Sequence, residues 1–145
     1  MSISKLILPV VAGVMSGMIL QVLGERGVHA LYPMPVSFGM SGKESISLFF
    51  SQVPISFYLL ILLNICLVTL VAGVVSTFVY AKASAIPAII VGIIISLGEV
   101  YSSAKIEGNP VIFSVLCVVL HIPMAWLGYY ITNKFYPKYL NIKSK

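Results

Sequence analysis

Four long apolar runs, separated by short polar or proline-containing breaks, set the pattern of this chain. The first extends from Leu6 to about Gly24 and meets the charged pair Glu25-Arg26. The second covers Ile55–Tyr80, behind Pro54, a residue whose fixed φ and missing N–H suit a helix start. The third covers Ala85–Tyr101, with Pro87 in its opening turn, and the fourth Val111–Thr132, behind Pro110. At a rise of about 1.5 Å per residue, about 20 helical residues cross about 30 Å of hydrocarbon. Each run is therefore a candidate span. Periodicity adds little, because every face of these runs is apolar. The helical assignment comes from the solvent: in lipid each backbone N–H and C=O has to be paired within its own segment or in a closed barrel.

The predicted fold is all-α, a four-helix transmembrane bundle forming one domain over residues 1–145. Spans two and three are joined by only Ala81-Lys82-Ala83-Ser84, which forces a tight helical hairpin. The one longer loop, residues 25–54, carries Gly27, Pro33, Pro35, Gly39 and Gly42, and its Ser41–Gln52 end is expected to form a short helix lying on the membrane surface. The first run is too long for a signal-peptide core and lacks an A-x-A site, so it reads as a retained helix.

Composition agrees with a surface that faces lipid. The chain is 59% hydrophobic and 9% charged, with mean hydropathy +1.05, whereas soluble domains average about 25% charged residues. Of the nine basic residues, Lys5, Lys82, Lys134, Lys138, Lys143 and Lys145 fall on the side of the termini, and Arg26, Lys43 and Lys105 on the other. That bias predicts both termini in the cytoplasm. Tyr80, Tyr101, Tyr129, Tyr130, Phe135, Tyr136 and Tyr139 fit interfacial anchoring. The bilayer is the expected partner, and scattered positive charge gives no case for nucleic acid. Cys66 and Cys117 lie inside apolar runs without metal or redox spacing and read as small buried hydrophobes.

Polar groups within the spans narrow the candidate chemistry. His121 lies mid-span, two residues before Pro123, and Asn64 lies within the second span. Two readings stand for His121: a proton-accepting group lining a pathway, or a neutral imidazole bonded to a neighbouring helix, with Asn64 the candidate partner. Pro123 also frees the carbonyl of Val119 for another donor. Cys117 and His121 share a helical face, but two ligands are too few for zinc; no metal or cofactor is expected. No carboxylate lies mid-span, which disfavours an ion-coupled transporter.

Across the end of the first span, Gln21, Glu25 and His29 fall on one slowly drifting helical face if that helix continues. With Tyr32 and Glu99 they form a candidate cluster at the outer end. Small residues recur four apart, as Gly13 and Gly17, Ala72 and Ser76, Gly73 and Thr77, and Ala88, Gly92 and Ser96. Such faces let helices approach closely, either within the chain or against a second copy or another membrane protein.

Glu25-x-x-x-His29-x-x-Tyr32-Pro33-x-Pro35 after a glycine-rich first span resembles a set of small uncharacterised bacterial four-span membrane proteins. Gly73 with Ser76, and Pro123-x-Ala125-x-Leu127-Gly128, are similar too. The third connector departs from that pattern, with Glu107-Gly108-Asn109-Pro110 where a proline-histidine-proline stretch is expected. The resemblance implies a bacterial membrane protein and carries no activity.

Three functions follow. The first is a non-enzymatic accessory, assembly or scaffold component, resting on the small-residue faces. The second is a small oligomeric transporter or channel using Asn64, Ser96 and His121. The third is a membrane-embedded enzyme using Glu25 and His29. No H-E-x-x-H or G-x-S-x-G motif supports the last.

Overall fold

The computed structural model describes residues 4–33, 52–82, 84–104 and 110–137. Within them the chain forms α1 (Ser4–Leu31), α2 (Ile55–Tyr80), α3 (Ile86–Ser103) and α4 (Val111–Phe135). All four are long and apolar enough to cross a membrane, as expected for a multi-pass membrane protein. The proposed surface helix at Ser41–Gln52 lies outside the described residues, apart from Gln52 itself.

The second span matches its predicted bounds; α3 and α4 run two and three residues past theirs. The first differs more. It continues past Gly24 to Leu31, so the first part of the predicted loop is helix. Glu25-Arg26 marks where charge becomes tolerable, not where helix must stop. Pro33 supplies the stop, because its ring disfavours helical geometry at Tyr32.

At the hairpin, Ala81 ends α2 with φ 53° and ψ 33°, and its N–H bonds the carbonyl of Thr77 at 3.0 Å. This left-handed terminus favours glycine, since a Cβ there crowds the backbone. Ala81→Gly is therefore expected to stabilise the protein by about 1 kcal/mol, read as a higher unfolding midpoint in detergent; a lower midpoint would contradict the strain.

α2 and α3 pack together, with α1 and α4 on their flanks. Gly13 and Gly17 of α1 face Ala72, Ser76 and Val68 in reverse order, so α1 and α2 are antiparallel. α4 runs parallel to α2: Tyr58 meets Phe113 at one end and Phe78 meets Tyr136 at the other, each with ring centroids 5.0 Å apart. The core between them is made of small residues, with Ala72, Ala88, Thr69, Ser76, Thr77 and Ala125 fully buried. Large apolar side chains such as Leu8, Leu97 and Ile112 point outward to where lipid lies. Every small residue singled out above is buried inside the bundle. The faces that suggested a partner are occupied by this chain's own helices.

Hydroxyls in this core are satisfied locally. Ser76 and Thr77 both donate to the carbonyl of Gly73, and Thr132 donates to that of Gly128. Such back-bonding to the preceding turn lets a polar side chain sit in an apolar setting.

Candidate functional site

Because α1 persists to Leu31, Gln21, Glu25 and His29 stack along one face over two turns. Gln21 Nε2 donates to Glu25 Oε1 at 2.7 Å, and Asn64 Nδ2 donates to Gln21 Oε1 at 3.4 Å. Opposite them on α3, Ser103 donates to Glu99 Oε1 at 3.3 Å. Glu25 and Glu99 lie within electrostatic reach of one another. Among the described residues neither carboxylate has an ion-pair partner.

Gln21, Glu25, His29 and Glu99 line a cavity of about 410 Å³ among the four helices, at the end of the bundle where α1 stops and α2 begins. Its polar lining is Gln21, Glu25, His29, Glu99, Ser102 and His121. Phe57, Ile61 and Ile65 of α2, Ile95 of α3 and Phe113 of α4 supply apolar walls. Its size lies within the range of roughly 300–1,000 Å³ typical of small-molecule sites, which also combine apolar walls with a few polar groups. His121 is ten residues into α4, a depth of about 15 Å, or half the hydrocarbon thickness. The cavity thus joins the helix ends to the middle of the bundle.

His121 is 2% exposed, and its Nδ1 lies 2.7 Å from Thr69 Oγ1. Thr69 donates its single hydroxyl proton to the carbonyl of Ile65 at 2.9 Å. With its proton so placed the hydroxyl oxygen accepts from Nδ1–H; the donor and acceptor roles of the ring follow its tautomer. Among the described residues Nε2 has no hydrogen-bond partner, nor does the buried Nδ1 of His29. Buried polar atoms are rarely left this way, and each calls for an explanation.

The expected pairings are corrected in three places. Asn64 and His121 do not bond each other; Gln21 takes the first and Thr69 the second. Ser96 does not bond His121 either; its hydroxyl donates to the carbonyl of Val118 at 3.1 Å, one residue from the Val119 carbonyl that Pro123 frees. Neither Asn64 nor Ser96 lines the cavity. Tyr32 also stands apart from the cluster: its hydroxyl pairs with Ser56 Oγ at 2.6 Å and its ring meets Phe57 edge-on, fastening the end of α1 to the start of α2. Glu25, His29 and Glu99 do come together. Among the described residues no three His, Cys, Asp or Glu side chains form a metal-binding set. The contribution of Thr69 was not foreseen, since a threonine four residues after Ile65 carries no signal beyond a back-bonded hydroxyl.

No protein-family model, curated protein or solved structure matches the chain. The site is accordingly read from its own geometry.

Proposed function

We propose that this chain is a small transport protein of the bacterial inner membrane, with both termini cytoplasmic and the cavity as the outward-facing part of a solute path. One observation carries the reading: the cavity reaches from Glu25, His29 and Glu99 down to His121 at mid-depth. The resemblance to bacterial four-span proteins supports the location, and the lysine bias supports the orientation. Beyond His121 the helices close tightly through Gly73, Gly92, Ala125 and Gly128. Passage then requires these helices to part, within one chain or in an oligomer.

The assembly role that small-residue faces first suggested loses that support, since those faces pack within the chain. An enzyme would use the same Glu25, His29 and Glu99 and would return altered solute. Flux into proteoliposomes, across a panel of amines, amino acids and inorganic ions, separates these functions. His121→Ala is expected to reduce flux of the accepted solute at least about tenfold, the scale of one charged or buried hydrogen bond, with helicity unchanged. Equal flux in the variant, or no flux across the panel, would remove the transport reading.

A further inference from the structure

The cavity opens sideways. Among the described residues that line it, the exposed ones are Met18 and Glu25 of α1 and Gly98 and Ser102 of α3. The lining from α2 and α4 is buried or half-buried, as at Ile61, Ile65 and Phe113. α2 and α4 are therefore the back wall, and the mouth lies between α1 and α3. A Cβ built at Gly13 would lie 2.9 Å from Val91, and one at Gly17 3.4 Å from Ile95, so α1 and α3 touch there. About one turn closer to the end of α3, a Cβ at Gly98 meets nothing within 4 Å, and the contact is not continued. The mouth reaches hydrocarbon depth, since Met18 stands seven residues before Glu25, or about 10 Å inward of it. The neighbours of Met18 and Gly98, Ile19 and Leu97, are 59% and 64% exposed on the lipid-facing surface. Met18 also borders an apolar groove of about 320 Å³ along α1, whose described lining includes Met15, Ile19, Val22 and Leu23. Cavity and groove thus meet at one side chain.

We infer that the cavity admits the polar head of a single-chain amphiphile from the bilayer, between α1 and α3, while the alkyl chain stays outside in the groove along α1. The two spaces differ as the two ends of such a molecule do. The described lining of the groove is wholly apolar. At about 30 Å³ for a group the size of a water molecule, its volume suits about ten methylene-sized groups, which is one chain. The cavity instead sets Gln21, Glu25, Glu99 and Ser102 about its mouth, where ionised carboxylates accept hydrogen bonds from a hydroxyl-bearing head. A polar head in hydrocarbon is costly unless it is paired in this way. About 410 Å³ holds a head of the size of a small molecule, so the chain need not enter the bundle. This names the substrate class of the transport reading, and rests on that reading only for the cavity being part of a path.

The test is photolabelling of the full chain in lipid nanodiscs, with the labelled residues located by mass spectrometry. Three diazirine probes are compared: a monoacylglycerol labelled on its glycerol, the same labelled glycerol without a chain, and a monoacylglycerol labelled at the chain end. The head-labelled amphiphile is expected to mark the back wall at Ile61, Ile65 and Phe113. At equal total concentration the chainless head is expected to mark it at least about tenfold less. The chain-end probe is expected to mark the exposed face of α1 at Met15, Ile19 and Val22, and not the back wall. Gly98→Trp, which fills the mouth, should abolish back-wall labelling and leave labelling of the α1 face unchanged. Circular dichroism checks that the variant is folded, and Met18→Trp serves where Gly98→Trp is not. Back-wall labelling as strong from the chainless head or from the chain-end probe would overturn the assignment, as would head labelling confined to the exposed faces. Back-wall labelling by the head probe, without movement of that probe between leaflets or flux of any solute, would leave the lateral site standing while transport falls. His121-dependent flux of a water-soluble solute, with equal back-wall labelling by the chainless head, would do the reverse.

Discussion

Gly73→Leu is expected to abolish the folded bundle, leaving no monodisperse protein after detergent extraction. A Cβ at Gly73 falls on the backbone of Ala125, with its Cα at 2.9 Å and its carbonyl closer still. The reverse contact repeats the constraint, since a Cβ at Gly128 meets the carbonyl of Leu70 and lies 2.8 Å from Val74 N. Backbone cannot rotate aside as a side chain can, so α2 and α4 would have to separate. Overpacking typically costs about 1–3 kcal/mol and occasionally more, and with total stabilities of about 5–15 kcal/mol a leucine at this crossing exceeds what the fold tolerates. Gly73→Ala grades the effect. The propensity gain of about 1 kcal/mol opposes the clash, and a net loss of about 1–2 kcal/mol is expected, read from chemical unfolding in detergent. A Gly73→Ala protein as stable as the parent would show that the α2–α4 approach is looser than described.

Gly98→Trp should do the opposite: keep the fold and remove the function. Gly98 lines the cavity, and a Cβ built there meets nothing within 4 Å. Replacing a helical glycine also recovers up to about 1 kcal/mol of propensity. The indole then occupies space that a solute needs. Unfolding midpoint unchanged or raised, together with solute binding and flux reduced at least about tenfold, is the expected pair of results. Retained flux in a folded Gly98→Trp protein would place the solute elsewhere. The two glycines thus separate packing from function within one residue type.

Much of the architecture was legible because lipid leaves a chain few options. Span bounds followed from hydrophobic length, and Pro54 and Pro110 marked the starts of α2 and α4. The end of α1 was misplaced, because a charge pair reports depth and says nothing about helix termination. The Gln21–Glu25–His29 face was readable as four-residue spacing, once the helix continued. The partner of His121 was not. Counted from the helix starts, Asn64 is nine residues into α2 and His121 ten into α4, whereas Thr69 is fourteen in. By that count Asn64 is the nearer in depth. At the level of His121 the structure instead places Thr69, about one turn further along α2, against the imidazole. An offset of this kind is set by interdigitating Gly73, Ala125 and Gly128, and no pattern along a single chain encodes it. The cavity escaped for the same reason: its walls come from four helices whose rotations depend on those contacts.

The most direct test of a cavity that joins the helix ends to His121 is thiol accessibility in sealed vesicles. Single cysteines at Ile61 and Ile95, which line the cavity, are compared with Leu63 and Leu97, their neighbours on the exposed apolar faces. The background carries Cys66→Ala and Cys117→Ala, and the reagent is a charged, membrane-impermeant methanethiosulfonate, which reacts with thiolates that water can reach. The structure predicts rapid modification at positions 61 and 95 from one side of the membrane, slowed by bound solute, and little at 63 and 97. Equal, slow reaction at all four positions would mean that water does not enter the bundle there, and would contradict the account.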